Sequence, residues 1–539
     1  MYVRTTTHIQ GNSLLKAYIN EEESVCDRFD YNLNDDGMRA RLASLQNRDF
    51  PRGELADLLH AFNQQLDADE TTFRNIERLK DRDAVTVVCG QQAGFLTGPL
   101  FTLFKTIRTI QWARTQEMKL GVPVIPVFWI AGEDHDFPEI NHLFLPSGDK
   151  LQKKALPRHE KVKQSVSDMK LDYQAAEELL QEAFLAYGET PFTKDLYKLA
   201  VDELHSSTTY VDFFGRLMAK LFAHEGVVFI NAHDPELRKL EAPFFRELLM
   251  KNEAVHRHVF HSQEKLVKEG FGKPLDLDRE LAHIFVHSKG ERFLLERLSD
   301  QRFTDRQRTL LYDIDELLVM AENEPDKLSN NVVTRPLMQE YVLPVLTFVA
   351  GPGELLYWSV LKDAFHEFGF TLPPIVPRMH ATIVDSTARK WMDTYQLTVE
   401  DICQEGVDVF RAQREAQLQT DQLGHILQQL SEHYEEMNTL FSSLAAELPD
   451  GQTVADAARR QWNKQRTWLE KRFGQSIRKA HQQELAGYPT LETLLFPGKT
   501  PQDRVYNGFY WLNRFGVDWI HELIAEPIVN DHYMQQIEL

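Results

Sequence analysis

Two strand-to-loop junctions constrain this chain more than any other feature. The first runs Ala84-Val-Thr-Val-Val-Cys89 into Gly90-Gln91-Gln92-Ala93-Gly94-Phe95-Leu96-Thr97-Gly98-Pro99, then into an apolar helix carrying Lys105. The second runs Val122-Pro-Val-Ile-Pro-Val-Phe-Trp-Ile-Ala131 into Gly132-Glu133-Asp134-His135-Asp136. Near-continuous apolar runs of this length suit strands buried on both faces of a parallel sheet. Ligands of open α/β sheets bind beyond the carboxyl ends of the strands, so these two loops are where chemistry is expected.

Apolar runs at 84–89, 123–131, 227–231, 342–350 and 374–377 predict five strands, the first four each feeding a Gly- or Asp-containing turn and a helical pattern. That alternation predicts an α/β fold with a doubly wound parallel sheet. The core is read in three parts, 1–146, 224–249 and 331–387. A helical insertion (147–223) and an antiparallel insertion (250–330) separate them, the latter with a hairpin turning at Lys289-Gly290. From 388 to 500 the pattern changes. Leu423, Leu427, Leu430, Tyr434, Met437, Phe441, Leu444 and Leu448 alternate spacings of four and three, a heptad seam that breaks at Pro449-Asp450-Gly451 before a second helical pattern. A helical hairpin with such a seam predicts a homodimer, packing within one chain being the alternative. An aromatic segment, 501–539, closes the chain.

The net charge of −21 over 539 residues argues against general nucleic-acid or anionic-membrane binding, which need a basic footprint. Cys26, Cys89 and Cys403 are too few and too far apart for a disulfide framework. The first residues lack the apolar stretch of a signal peptide, and no apolar run is long enough for a bilayer, so a cytoplasmic setting is expected.

In the first loop, Gly90, Gly94 and Gly98 let backbone approach a ligand, and a helix start supplies free N–H groups for phosphate. Helical side chains lean toward the N-terminus, which aims Lys105 back at the loop. Gln91, Gln92 and Thr97 are candidate substrate-binding groups. The spacing is neither Walker A nor GxGxxG, and a plain tight turn is the alternative. In the second loop Glu133, Asp134 and Asp136 crowd around His135, and adjacent carboxylates repel unless a cation compensates. Three uses are open: Mg²⁺ with a nucleotide, a substrate amine, or general-base work by His135. A solvated acidic turn is the bland alternative, and a transition-metal site with His142 lacks a recognised spacing. Arg335, before the fourth strand, and Arg378, after the fifth, suit carboxylate or phosphate, though Arg378 could instead pair with the acidic loop. Finally, Arg504-Val-Tyr506-Asn-Gly-Phe509-Tyr510-Trp511 offers rings to stack a purine and an arginine for phosphate. Rings at helical spacing are more often core.

The strings VVCGQQAGFLTGPLFTLFK (87–105), PVFWIAGEDHDFPEINH (126–142), TRPLMQEYVLPVLTFVAGPGE (334–354), PPIVPR (373–378) and RVYNGFYWLNRFG (504–516) resemble the cysteine-ligase family of bacillithiol biosynthesis. The resemblance spans essentially the whole chain. It implies a Rossmann-like core akin to class I aminoacyl-tRNA synthetases, two connecting-peptide insertions, and a coiled-coil domain that dimerises. The HIGH and KMSKS signatures of those synthetases are not visible. The implied task is joining cysteine's carboxyl group to the amine of glucosaminyl malate; because a carboxylate at neutral pH is a poor electrophile, ATP activation is expected, with Mg²⁺ as a companion. On that reading Asp134 and Asp136 hold an ammonium or Mg²⁺, His135 takes a proton, and Arg335 and Arg378 meet malate's carboxylates. Gly90, Gly94, Gly98, Lys105, Arg504, Tyr506, Phe509 and Tyr510 then form the nucleotide site. A nucleotidyltransferase of the same fold and a non-catalytic pathway scaffold are the rival readings.

Overall fold

All five apolar runs form strands of one sheet: β1 (Val85–Gln91), β2 (Val124–Ile130), β3 (Val228–Asn231), β4 (Val345–Ala350) and β5 (Ile375–Pro377). This computed structural model describes residues 1–8, 11–148, 150–157, 163–277, 280–298, 301–447, 449–527 and 533–539. The strand order is β5-β4-β1-β2-β3, and every pairing is parallel. Val85 lies opposite Val124, Gln91 opposite Ile130, and Phe348 opposite Ile375. Side chains alternate between the faces with period two. Val85, Val87, Cys89 and Phe128 pack in one core with Leu103, Phe104 and Ile107 of α1 (Phe101–Leu120). Val88, Ile125, Val127 and Phe348 pack in a second with Leu55, Leu59 and Phe244. A sheet with a core on each face is why its strands read as unbroken apolar runs. Chain order reverses between β1 and β4, which opens a crevice at their carboxyl ends.

The insertions refine the sequence reading. The first begins as a hairpin, His142–Ser147 against Lys150–Ala155, so the Lys-rich start expected within a helical segment is partly a strand. Helices Tyr173–Tyr187, Thr193–His205 and Tyr210–Leu221 follow. The second opens with helix Asn252–Lys268 and becomes a five-stranded antiparallel sheet, in the order Leu311–Tyr312, Phe303–Asp305, Glu291–Arg297, Leu281–Ser288, Leu328–Asn330. Its hairpin turns at Lys289-Gly290, both at positive φ (52° and 78°), the geometry of a two-residue primed turn. The C-terminal residues rejoin the first unit, where strand Gln535–Glu538 pairs with Tyr2–Thr5.

The chain divides into two units, Met1–Ile383 with Asp503–Leu539, and Val384–Gln502. The second holds helices Val407–Glu447 and Gly451–Ala480, which run side by side. Leu427, Tyr434, Met437 and Phe441 of the expected seam are half-buried, Leu430 and Leu444 exposed. The Leu423 side chain and Leu448 lie outside the described residues. No helix among the described residues is long and apolar enough to cross a membrane.

Candidate active site

A cavity of about 530 Å³ lies at the β1–β4 crevice, a size that suits small ligands. Its walls come from both junctions: Gly90, Gln91, Gln92 and Lys105 from the first, Glu133 and Asp134 from the second. Gln92 Nε2 donates to Asp134 Oδ2 at 3.2 Å, so the two loops meet directly. Gly90 is required by close approach, since a Cβ there would lie 2.9 Å from the Trp129 carbonyl oxygen.

Lys105 does point back toward its loop. Its ammonium donates to the Gly90 carbonyl at 2.6 Å and pairs with Glu354 at 2.5 Å. Glu354 in turn accepts the Gly351 N–H at 2.8 Å. Lys105 thus clamps the ends of β1 and β4 together, with most of its donor capacity spent.

The rest of the glycine turn departs from expectation. Gly94 and Gly98 do not line this cavity; a Cβ on Gly94 would sit 2.6 Å from Gly98 Cα. Three of its N–H groups are taken by backbone carbonyls: Gly94 donates to Gln92 O and Gly98 to Phe95 O within the turn, and Leu100 to Tyr506 O from a distant segment. Asn507 Nδ2 donates to the carbonyls of Leu96 (2.8 Å), Gly98 (2.7 Å) and Phe95 (3.3 Å), fastening a turn in which Leu96 and Thr97 both have positive φ. Thr97 is fully buried and off the cavity. Gly94, Gly98 and Thr97 therefore belong to a fastened turn off the wall of this cavity, which corrects the ligand contacts expected of them there.

The aromatic segment is corrected too. Tyr506, Phe509 and Tyr510 are buried, together with Trp511, and none reaches the cavity. Helix Gly508–Phe515 spends its rings on core packing, Tyr510 meeting Tyr187 edge-on at 5.5 Å. No ring face remains for a purine. Arg504 alone of that segment's candidates reaches the cavity, exposed and without an ion pair among the described residues. Partial burial, and then the Arg378 charge, lower its pKa against the opposing pull of Asp503, a crowding of like charge that an anionic group would relieve.

In the acidic loop the four groups separate. Glu133 is buried, its Oε2 taken by Arg238 Nη2 at 2.5 Å and the Asn330 N–H at 3.2 Å, so it is a wall anchor rather than a free substrate ligand. Asp134 is half-exposed to the cavity. Asp136 is exposed and off the wall, so its expected role in the cavity falls away. His135 also lies off the wall, edge-on to Phe285 at 5.9 Å. Its Nδ1 faces Arg292 Nη1 at 3.3 Å. A guanidinium only donates, so Nδ1 accepts and the neutral ring carries its proton on Nε2. Burial, then the Arg292 charge, hold its pKa below the usual histidine value. With that nitrogen turned to Arg292 and the ring off the wall, His135 is not placed to take a proton from a ligand in the cavity, which corrects the general-base assignment. Among the described residues no three His, Cys, Asp or Glu could hold a metal together, and His142 turns its Nδ1 to the Pro138 carbonyl.

Arg335 lines the cavity from the first turn of helix Thr334–Val342, bonded to Gln339 Oε1 (3.0 Å) and Tyr357 OH (3.1 Å), with no carboxylate partner among the described residues. Arg378 also lines it, but its salt bridge goes to Asp503 at 2.6 Å and not to the acidic loop. Two residues that the sequence did not single out complete the site. Arg292, buried on strand Glu291–Arg297, donates to Asp134 Oδ1 (3.4 Å), Ser329 Oγ (3.0 Å) and Asn330 O (2.5 Å). Asn330 ends strand Leu328–Asn330 on the cavity wall. Neighbouring Asn331 donates to His283 Nδ1 at 3.0 Å.

That histidine sets a pH limit on the fold. His283 is fully buried, its pKa pulled down to about 3 by burial and then by His256. The unfolded chain titrates this group near 6.5, so below that pH the unfolded state holds more protons and stability falls. At about pH 5 the cost is roughly 2 kcal/mol from this group alone. Urea midpoints at about pH 7.5 and 5 should differ accordingly, and the difference should shrink by that amount in His283→Gln.

The architecture and cavity define a two-domain α/β protein with a Rossmann-ordered sheet and a coiled-coil module. Residues 1–379 match the family described as "Bacillithiol biosynthesis BshC, N-terminal Rossmann-like domain", and residues 381–539 match "Bacillithiol biosynthesis BshC, C-terminal coiled-coil domain". Relatives named "Putative cysteine ligase BshC" agree along the full length. The protein from Bacillus cereus (strain AH187) is 36% identical over 533 residues, 98% of this chain and 99% of that one. Those from Bacillus thuringiensis subsp. konkukian (strain 97-27) and Bacillus anthracis (strain A0248) are each 37% identical, over 96% of both chains. A solved chain titled "Putative arginyl t-RNA synthetase" from Campylobacter jejuni overlaps with a TM-score of 0.22 at 11% identity, over 83% of this chain and 94% of that one, and carries no argument. The chain belongs to the BshC family of bacillithiol biosynthesis.

Proposed function

We propose that this chain joins the carboxyl group of cysteine to the amine of glucosaminyl malate, with ATP as the activating co-substrate, in the β1–β4 cavity. One observation carries the reading: the same walls present guanidinium groups without carboxylate partners among the described residues (Arg335, Arg504) and accessible carboxylates (Asp134, Glu139). Cysteine and glucosaminyl malate both carry an amine and carboxylate, so each needs groups of both signs. A carboxylate at neutral pH is a poor electrophile, and ATP, when bound, supplies the leaving group that makes it reactive. Arg335, Arg504 and the remaining donors of Arg378 fit malate and phosphate oxygens. Asp134, oriented by Gln92 and Arg292, receives the sugar ammonium and takes its proton. A Mg²⁺ accompanying the nucleotide would draw a protein oxygen from Glu139. The proposed setting is the cytoplasm, which supplies cysteine and ATP.

Incubated with ATP, cysteine and glucosaminyl malate should give a product whose mass is the sum of those two less one water, and omitting ATP should abolish it. Arg335→Ala and Arg504→Ala should each raise the KM for glucosaminyl malate about 10- to 100-fold, the scale of a lost charged contact. Pyrophosphate release without amine consumption would overturn the reading in favour of nucleotidyl transfer. Calorimetric titrations that detect neither cysteine nor ATP would favour a scaffold.

The second unit supports a homodimer as part of this reading. A gap of about 450 Å³ between its long helices is lined by Leu427, Leu430, Tyr434, Trp462, Leu469 and Phe473, so the hairpin does not fill its own seam. Leu440, Trp462 and Trp468 stand exposed nearby. Sedimentation should give twice the chain mass for the parent and a shift toward one chain for Leu430→Asp, with activity retained only if the cavity is complete within one copy.

A further inference from the structure

Asn330 is the one buried side-chain amide among the described residues left unbonded at both its oxygen and its nitrogen. It is 2% exposed and lines the cavity. Buried polar groups are almost always paired, so a carboxamide unpaired at both ends on a ligand-cavity wall calls for a reason. Its backbone is rigidly held. The N–H donates to Glu133, the carbonyl accepts from Arg292, and the residue pairs with Ile284 across the antiparallel sheet. A side chain on a fixed strand end is a good recognition element.

The ligand chemistry follows from what a carboxamide can satisfy. It offers one acceptor and two donors side by side. A carboxylate only accepts and an ammonium only donates, so either would leave half of it unpaired, and both already have charged partners here in Arg335, Arg504, Asp134 and Glu139. Adjacent hydroxyls of a sugar ring each donate and accept, and together match both ends. An adenine edge could match as well, but a base wants a ring to stack on. Of the aromatic wall residues, Trp129 is 1% exposed, Tyr357 is bonded to Arg335, and Phe101 lies under the Arg378 guanidinium at 5.0 Å.

We propose that Asn330 is the sugar-specificity residue of the site, its carboxamide bonding two adjacent ring hydroxyls of the hexosamine half of the acceptor. This rests on the function proposed above. The test is calorimetric titration of the full chain with glucosaminyl malate, its 3-deoxy and 4-deoxy analogues, and ATP, using the parent and the Asn330→Ala and Asn330→Asp variants. The parent should lose tenfold or more in affinity for at least one deoxy analogue. In Asn330→Ala, the full and deoxy ligands should bind within about twofold of each other, with ATP affinity unchanged. Equal weakening of full and deoxy ligands in both variants would overturn the assignment and mark Asn330 as structural. Weakening confined to ATP would overturn it in favour of the adenine edge. Should the variants fail to fold, a parent that discriminates less than twofold against every deoxy analogue still overturns it. A parent that binds no glucosaminyl malate at all overturns the proposed function itself, and this inference with it.

Discussion

Replacing Glu340 by alanine is expected to destabilise the first unit by roughly 3–5 kcal/mol, the usual cost of stranding a buried charge. Glu340 is 1% exposed on helix Thr334–Val342, and its carboxylate accepts from Arg41 Nη2 at 2.6 Å and from Arg48 Nη1. Arg41 is wholly buried, and its other donors reach the Val345 and Thr371 carbonyls at 2.7 and 3.0 Å. Deleting the carboxylate leaves a guanidinium in the core with neutral partners only. The same helix carries Arg335 into the cavity, so the damage should spread from stability to the KM for the acceptor. The expected signature is a lower urea midpoint at unchanged slope. Glu236→Ala, which removes an exposed pair with Lys239 (64% exposure on both sides), should stay within about 0.5 kcal/mol. Equal effects of the two changes would sink the argument.

The sheet was legible because burial on both faces keeps charged residues out of the strands and leaves their interiors almost wholly apolar, Thr86 and Thr347 apart. Each apolar run therefore ends where its strand leaves the core, and Gly90, Ala131 and Gly351 mark the exits. The direction of Lys105 was legible for a similar local reason, the tilt of helical side chains toward the N-terminus. What the sequence did not display depends on contacts between distant segments. Arg292 and Asn330 arrive from the inserted antiparallel sheet, some 158 and 197 residues from their partners Asp134 and Glu133. Neither residue type announces itself in a strand. Asn507 is one amide in an aromatic string, and only the fold brings its nitrogen to the carbonyls of Leu96 and Gly98. The rings beside it misled, because a helical pattern of aromatics looks the same whether it faces ligand or core. His135 misled for a different reason: a histidine beside carboxylates looks poised to accept a proton until Arg292, unseen locally, fixes its tautomer.

Asp134→Asn is expected to lower kcat about 100-fold or more, within the range that a positioned proton acceptor contributes. The substitution keeps the side chain's volume and removes its charge, so the loop should stay in place. Asp134 is the residue where the two loops and the inserted sheet converge: Gln92 reaches one oxygen and Arg292 the other. An ammonium group entering the cavity meets this carboxylate already oriented, and its deprotonation is the step that makes nitrogen a nucleophile. The KM for cysteine should change little if cysteine's own charges are met by the arginines and Glu139. His135→Ala, by contrast, should cost about tenfold or less, because its ring lies off the cavity wall and its hydrogen bond goes to Arg292, the partner it shares with Asp134. The ordering of the two variants is the decisive measurement. A His135→Ala loss exceeding that of Asp134→Asn would return the proton to the imidazole and require the ring to leave Arg292 during turnover. Unchanged turnover in both would remove the acidic loop from the chemistry altogether.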